Sequence, residues 1–126
     1  MINEQLINPS SIAVVGASNN VHKPGGKLLK NLIDGGYAGL LCPVNPKEDE
    51  VQGVACFKDL KDLPPIDLAV LAIPAKFCVD TVKMMSAEKG TKAFIVISAG
   101  FGEDGETGAV LEKALVEAAE AAGACL

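Results

Sequence analysis

Residues 11–18 read SIAVVGAS, and residues 23–34 follow a short polar stretch as KPGGKLLKNLID. An apolar run that ends in glycine is typical of a buried strand that turns sharply at its end. In the second segment, apolar residues recur at helical spacing on one face: Leu28, Leu29, Leu32 and Ile33. These segments predict a strand over Ser11–Gly16 and a helix over Gly25–Asp34.

The same alternation of apolar runs and helical patterns continues along the chain. Three stretches predict further strands: LLCPV at 40–44, DLAVLAI at 67–73 and AFIVIS at 93–98. Helical spacing predicts two further helices, over 76–89 and 106–122. Strands that alternate with helices indicate right-handed βαβ units. The expected fold class is therefore α/β, a Rossmann-like three-layer αβα sandwich with a doubly wound parallel sheet.

Three places depart from this regular pattern. Pro43 weakens its strand unless it lies at the strand's end. Residues 51–57 are expected to form a short extension that leads to a turn at 59–63. Gly123 ends the last helix, and residues 124–126 resemble the beginning of another strand. We therefore expect residues 1–126 to form a single domain that is a fragment of a longer chain.

The composition narrows the possible functions. The 126 residues are 49% hydrophobic but only 4% aromatic, so Val, Ile, Leu and Ala must build the core. The net charge is −5, and all 11 basic residues are lysines. Residues 1–47 carry four lysines against two acids, whereas the remainder carries seven lysines against 14 acids. This distribution lacks the broad basic face of a nucleic-acid-binding protein, but a small polyanion could bind the basic N-terminal segment.

The cysteines and the single histidine argue against a metal site. Cys42, Cys56, Cys78 and Cys125 form no C-x-x-C pair, and Cys42 and Cys78 lie in apolar runs that predict buried thiols. His22 lies in a polar loop and is expected to be a solvated surface residue. Without a disulfide framework or signal peptide, a cytoplasmic location is expected. No apolar run approaches the ~20 residues of a membrane span, so no membrane partner is expected.

Small or polar residues follow all four predicted strands of the sheet. Ligands of open parallel sheets bind outside the carboxyl ends of the strands, so these four exits predict a binding crevice. The exits are Gly16-Ala17-Ser18, Asn45-Pro46-Lys47, Pro74-Ala75 and Ser98-Ala99-Gly100.

Residues 16–23, here called the first loop, are the candidate phosphate site. This loop runs into Gly25 and Gly26 at the predicted start of a helix, where free N–H groups and a partial positive charge attract anions. The alternative is that these glycines merely form a tight turn. The pattern differs from the dinucleotide motif G-x-G-x-x-G, because Ser18 and Val21 stand at its second and third glycine positions. No acid follows Val44 to hold a ribose, which also argues against NAD(P).

Several motifs taken together resemble a known family. IAVVGAS is followed by a Gly-Gly pair, PVNPK, LAVLAIPA and VISAGFGE, and their order and spacing cover roughly residues 7–126. This series resembles the N-terminal CoA-binding domain of the ADP-forming acyl-CoA synthetases, of which succinyl-CoA synthetase α subunits are more distant relatives. The resemblance implies a synthetase that converts carboxylic acid, CoA and ATP to acyl-CoA, ADP and phosphate.

The resemblance also implies roles for the residues at the four exits, with CoA bound as a substrate. Gly16, Ala17 and Ser18 would line its phosphate and adenosine end, and Asn45, Pro46 and Lys47 would hold its nucleotide. Ile73, Pro74 and Ala75 would flank the pantetheine arm, and Ser98, Ala99 and Gly100 would lie near its reactive end. Lys23, Gly25 and Gly26 are also predicted to bind the ligand, because they lie in the first loop and at the start of the following helix.

We expect no catalytic residue in the chain itself. It contains no G-x-x-x-x-G-K-[ST] motif, and the phosphorylated histidine of the family belongs to a later domain. The expected partners are CoA and the remaining domains or subunit of the synthetase. Three alternatives remain: an NAD(P)-binding oxidoreductase domain, the CoA-binding part of a protein lysine acetyltransferase, and a non-enzymatic sensor.

Overall fold

The computed structural model describes residues 8–97, 105–121 and 123–124. Strands and helices alternate along this part of the chain. The strands are β1 Ser11–Val15, β2 Leu40–Val44, β3 Glu50–Val51, β4 Val54–Ala55, β5 Leu68–Leu71 and β6 Ala93–Val96. The helices are α1 Pro24–Asp34, α2 Ala75–Glu88 and α3 Gly105–Ala121, with a short 3-10 helix at Leu60–Asp62.

The main sheet is parallel, with strand order β2-β1-β5-β6. Val14 of β1 is in register with Pro43 of β2 and with Val70 of β5, and Val70 is in register with Ile95 of β6. The chain passes from β1 to β2 on one side and returns through β5 on the other side of β1. This reversal is the switch point at which ligands of doubly wound sheets bind. The predicted fold class is confirmed.

Helices cover both faces of the sheet because successive strand residues point in opposite directions. Ile12 and Val14 belong to a buried cluster that includes Leu29 of α1. Ala13 and Val15 belong to a second buried cluster, which includes residues of α2 and α3: Cys78, Val82, Met85, Leu115, Ala118 and Ala119. The three layers are thus α1, the sheet, and the pair α2 and α3.

A glycine pair, Gly35 and Gly36, ends α1. Gly35 donates its amide to the Asn31 carbonyl at 2.9 Å, and Gly36 follows with a φ of 70°. Tyr37 then donates its amide to Leu32 at 3.1 Å, which satisfies a further carbonyl of the last turn. The chain leaves α1 toward β2.

Several details of the described residues differ from the sequence predictions. The expected extension at 51–57 is an antiparallel hairpin of β3 and β4, followed by a parallel bridge between Val44 and Phe57. The expected turn at 59–63 is the 3-10 helix, to which Asp59 supplies a side-chain cap. α2 begins at Ala75 rather than at 76. Ala124 donates its amide to Ala119 at 2.9 Å and so closes α3. Residues 125–126, where a further strand was predicted, lie outside the described residues.

Pro43 is accommodated because β2 forms one side of the four-stranded main sheet. In an edge strand the nitrogen of a proline can face away from the neighbouring strand, where its missing N–H costs the sheet no hydrogen bond. Its carbonyl accepts a hydrogen bond from the Phe57 amide at 2.9 Å. The thiols of Cys42 and Cys78 are buried, as predicted.

Candidate functional site

The loops that follow β1 and β5 meet at the switch point of the sheet. Gly16 has a φ of 91°, a backbone conformation that side chains other than glycine rarely adopt. A Cβ atom there would collide with the Ala72 carbonyl and lie 3.2 Å from Cγ2 of Ile73. Gly16 therefore allows two exits of the predicted crevice to touch.

The start of α1 lies directly on the first loop. A Cβ at Gly25 would collide with the Gly16 carbonyl, and one at Gly26 would collide with the Asn20 carbonyl. Both glycines are buried. Their lack of side chains brings the helix N-terminus into contact with the loop, as the sequence suggested for a phosphate site.

No side chain caps this helix N-terminus. Lys23 occupies the N-cap position with extended backbone angles, φ −81° and ψ 149°, and makes no side-chain capping bond. Pro24 follows, and the first turn contains no acidic residue. The amides of Gly25 and Gly26 belong to the first turn, where the helix itself offers no acceptor. The end of α1 thus presents N–H groups and a partial positive charge next to the first loop.

The exit from β2 supports the first loop from one side. The amides of Gly16 and Ala17 donate to the Val44 carbonyl at 3.0 and 3.2 Å. Nδ2 of Asn45 donates to the Ala17 carbonyl at 2.9 Å, and Oδ1 of Asn45 accepts from the Lys47 amide at 2.9 Å. Asn45 therefore ties the exposed Lys47 segment to the first loop.

The β3–β4 hairpin supports the loop from a second side. Nε2 of Gln52 donates to the carbonyls of Ser18 and Gly26, both at 2.9 Å. The Gln52 amide donates to Oδ1 of Asn19 at 2.7 Å, and Nδ2 of Asn19 donates to the Glu50 carbonyl at 3.4 Å. Sequence analysis did not single out Gln52 or Asn19. The Gln52-Gly53 pair between two Val-containing dipeptides was the available signal, since a two-residue hairpin turn favours glycine.

Short polar side chains shape the remainder of the first loop. Oγ of Ser18 accepts the Asn20 amide at 3.0 Å, and Oδ1 of Asn20 accepts the His22 amide at 3.0 Å. Such side-chain bonds stabilise consecutive turns without any regular element. His22 is exposed, as predicted.

The structure brings part of the predicted binding set together. The residues linked by direct contacts are Gly16, Ala17, Ser18, Gly25, Gly26, Asn45 and Ile73. Lys23, Pro46, Lys47 and Pro74 are exposed near them in the chain, and Ala75 is buried as the first residue of α2. Ser98, Ala99 and Gly100 lie outside the described residues.

The thiol of Cys56 borders this site. Its Sγ lies 3.8 Å from the Asn45 carbonyl and 3.6 Å from the Phe57 carbonyl. Burial raises the pKa of Cys56, so the thiol stays protonated at neutral pH and is a weak nucleophile. This part of the site offers backbone amides and lysine side chains, which are groups that can bind an anion.

The described residues contain neither a metal-binding cluster nor a membrane-spanning helix. Within residues 8–97, 105–121 and 123–124, no group of three His, Cys, Asp or Glu residues is arranged to hold a metal ion. No helix in the described residues has the length and hydropathy needed to cross a membrane.

Comparison with known proteins identifies the family. The family model described as a CoA binding domain matches residues 10–126. The chain belongs to this family. The CoA-binding domain is 40% identical over 119 residues to ADP-forming acetate–CoA ligase II of Archaeoglobus fulgidus. This alignment covers 94% of the domain and 18% of the ligase. The domain is 45% identical over 121 residues to the α subunit of ADP-forming acetate–CoA ligase II of Pyrococcus furiosus, covering 95% of the domain and 26% of that subunit.

Solved structures agree with these relatives. The CoA-binding domain superposes with a TM-score of 0.86 on dinucleotide forming acetyl-coenzyme A synthetase 1 of Ca. Korarchaeum cryptofilum in its apo form, at 38% identity. The match covers 96% of the domain and 26% of that chain. The domain spans about a quarter or less of these relatives. The predicted resemblance to ADP-forming acyl-CoA synthetases is confirmed.

Proposed function

We propose that this domain binds coenzyme A, with the phosphates held between the first loop and the N-terminus of α1. The observation that carries the proposal is the uncapped start of α1, packed through Gly25 onto the first loop at the switch point. Anions are favoured at such a helix end because the amides and the helix dipole act together. Lys23 and Lys47 add positive charge at this edge of a domain whose net charge is −5.

The path of CoA follows the order of the strands. Gly16, Ala17 and Ser18 contact the phosphates, while Asn45, Pro46 and Lys47 hold the nucleotide. Ile73, Pro74 and Ala75 flank the pantetheine arm beyond β5, next to Gly16. Ser98, Ala99 and Gly100 would lie nearest the thiol. This path agrees with the contacts among Gly16, Ile73, Ala17 and Asn45.

The domain is proposed to work as the CoA-binding part of a longer, cytoplasmic ADP-forming synthetase. That enzyme would join a carboxylic acid to CoA while converting ATP to ADP and phosphate. The names of the relatives from Archaeoglobus fulgidus and Pyrococcus furiosus, both ADP-forming acetate–CoA ligases, support this reaction. The remaining domains or a second subunit would be the protein partners of this domain.

Calorimetry with CoA and with NAD tests the proposal. We expect CoA to bind more tightly, because the second-strand exit offers Asn45 and Lys47 for phosphates rather than an acid for a ribose. Titration with 3′-dephospho-CoA in the same buffer shows how much the extra phosphate contributes. Tighter binding of NAD than of CoA would overturn the proposed function.

A further inference from the structure

We propose that Gln52 is a positioning residue for the CoA phosphates, acting by orienting backbone amides of the first loop. This inference rests on the proposed CoA-binding function, because it assigns to that site a residue outside the loop, in the β3–β4 hairpin. Gln52 is half-buried, and its side-chain amide reaches two carbonyls on separate parts of the site.

The conformation of Gln52 is unusual for its residue type. It has a φ of 51°, whereas the other positive φ angles in the described chain belong to glycines. Gly53 follows with a φ of 83°, so the hairpin turn has two consecutive positive φ angles. Such turns favour Asn-Gly or Gly-Gly, and a non-glycine residue at positive φ is uncommon. If residue 52 served only to form the turn, Asn or Gly would suit its backbone conformation better than Gln. The Gln52 side chain therefore has a role beyond the turn.

The two hydrogen bonds of the Gln52 amide fix the direction of peptide groups. In a planar trans peptide, the carbonyl of one residue and the N–H of the next point in opposite directions. Because the Ser18 carbonyl is directed at Gln52, the Asn19 N–H is directed away from the hairpin. In the same way, the bond from Asn45 to the Ala17 carbonyl directs the Ser18 N–H away from β2.

These two consecutive amides are available to a ligand. Across residues 8–97, the hydrogen bonds of the first loop leave the N–H groups of Ser18 and Asn19 without an acceptor. Successive backbone N–H groups in a turn can form an anion-binding concavity. Asn45 and Gln52 therefore bind the carbonyl oxygens of these two peptide groups, and the N–H groups of the same peptides remain open to a ligand.

The second bond of Gln52 joins the loop to the helix. Its acceptor is the carbonyl of Gly26 in the first turn of α1, so one side chain fixes the loop peptide and the helix start relative to each other. The Gln52 amide and Asn19 close the same network through a 2.7 Å bond. The amides of the first loop and of α1 are thus held in one arrangement before a ligand binds, which lowers the entropic cost of binding.

Two variants remove or shorten the Gln52 side chain, so that it no longer reaches the two carbonyls, while they preserve the hairpin turn. Gln52→Gly suits a positive φ, and Gln52→Asn keeps an amide in a residue type that tolerates this conformation but is one methylene shorter. Because both variants lose the side-chain hydrogen bonds that orient the first loop, we expect CoA to bind roughly tenfold more weakly to each. The matched control is Asn31→Ala, which removes an exposed amide side chain from α1.

Hydrogen exchange of the ligand-free protein provides a second readout. We expect faster exchange at the hydrogen-bonded amides of the first loop in both Gln52 variants, with the strands of the main sheet unaffected; these include the amides of Gly16, Ala17, Asn20 and His22. Loss of thermal stability with unchanged CoA affinity and unchanged loop exchange would show a merely structural role and overturn the assignment. If the parent protein itself bound no CoA, the proposed function would fail, and the assignment of Gln52 to CoA positioning would fail with it.

Discussion

Lys47 is the single charged residue expected to matter most for CoA affinity. Its amide is tied to Asn45, while its side chain is exposed at the carboxyl end of β2. A charge-assisted bond to phosphate contributes about 1.5–3 kcal/mol. We expect Lys47→Ala to weaken CoA binding roughly ten- to a hundredfold by calorimetry.

Two comparisons show whether the Lys47 side chain contacts CoA and which phosphate it contacts. Lys83→Ala removes an exposed lysine from the second half of α2 and should leave CoA affinity unchanged. If Lys47 meets the 3′-phosphate, its loss should matter much less for dephospho-CoA, whereas equal losses for both ligands would move the contact to the pyrophosphate. An unchanged affinity for both would exclude Lys47 from the site.

Gly25 is expected to be intolerant of even one added methyl group. Alanine favours a helix over glycine by about 1 kcal/mol, but the new Cβ would collide with the backbone carbonyl of Gly16. Because neither backbone segment can move freely, overpacking of about 1–3 kcal/mol should outweigh the gain in helix propensity. Urea unfolding of Gly25→Ala should show a lower midpoint than the parent, and the exposed neighbour Lys27→Ala should not. Equal midpoints for Gly25→Ala and the parent would refute the close approach.

At the scale of the elements, the N-terminus of α1 lacks a side-chain cap, and we expect a cap there to raise stability but weaken CoA binding. Lys23 occupies the N-cap with the backbone angles of a cap but without its hydrogen bond. Lys23→Asp would supply an acceptor for the first-turn amides and a favourable charge, and should stabilise the domain by about 0.5–2 kcal/mol. The same carboxylate would occupy the amides proposed for phosphate, so CoA affinity should fall.

The control for this variant is Lys23→Ala, which removes the positive charge without adding a cap. It should bind CoA more tightly than Lys23→Asp and should lack its gain in unfolding free energy. Chemical denaturation and calorimetry on the same samples test both effects. An Lys23→Asp protein that is more stable and binds CoA as tightly as Lys23→Ala would show that the α1 amides do not hold the ligand.

The helices and strands show which parts of the fold could be predicted from the sequence. Helical spacing and apolar runs found α1, α2, α3 and the four strands of the main sheet, because their periods follow from which faces are buried. The hairpin was missed because it is only two residues long on each side and is anchored by contacts distant in sequence, such as Gln52 with Ser18. The exits of β1, β2 and β5 were predictable from topology, whereas the contacts that hold them in place required the folded structure.

At the scale of the whole molecule, thiol and phenol groups that are shielded from solvent should lower the stability of the fold at alkaline pH. Burial raises the pKa of Cys42 above its ordinary value of 9.0, and burial likewise raises the pKa values of Cys56 and Tyr37. The folded state therefore favours the protonated forms. Their contribution to stability is fully present below the pKa values of the unfolded chain and is lost as pH rises through the higher values of the folded state.

We expect the urea midpoint, measured in reductant, to fall between about pH 7 and about pH 10. The fall should be smaller in Cys42→Ala, which lacks one of the buried thiols although it begins from a lower stability. A midpoint that rises over this range, or an equal fall in both proteins, would contradict this account of Cys42.

The isolated chain is expected to bind CoA without making acyl-CoA. It has no P-loop motif for ATP, and the thiol beside its binding site is a protonated, weak nucleophile. Incubation of the purified 126-residue chain with acetate, ATP and CoA should give no acetyl-CoA above the level of a boiled sample. Turnover that follows the protein through purification would show that the domain is catalytic by itself.

The contact between Gly16 and Gly25 has a consequence for protein engineering. Any transplant of the first loop into a related scaffold must carry the start of α1 with it, because the two backbones occupy adjoining space. The graft must also bring Asn45 and the hairpin residue Gln52, which hold the loop carbonyls from either side. We therefore expect ligand preference to be transferred only with all three discontinuous segments, because a swap of residues 16–23 alone would carry the loop sequence without the contacts that fix its conformation.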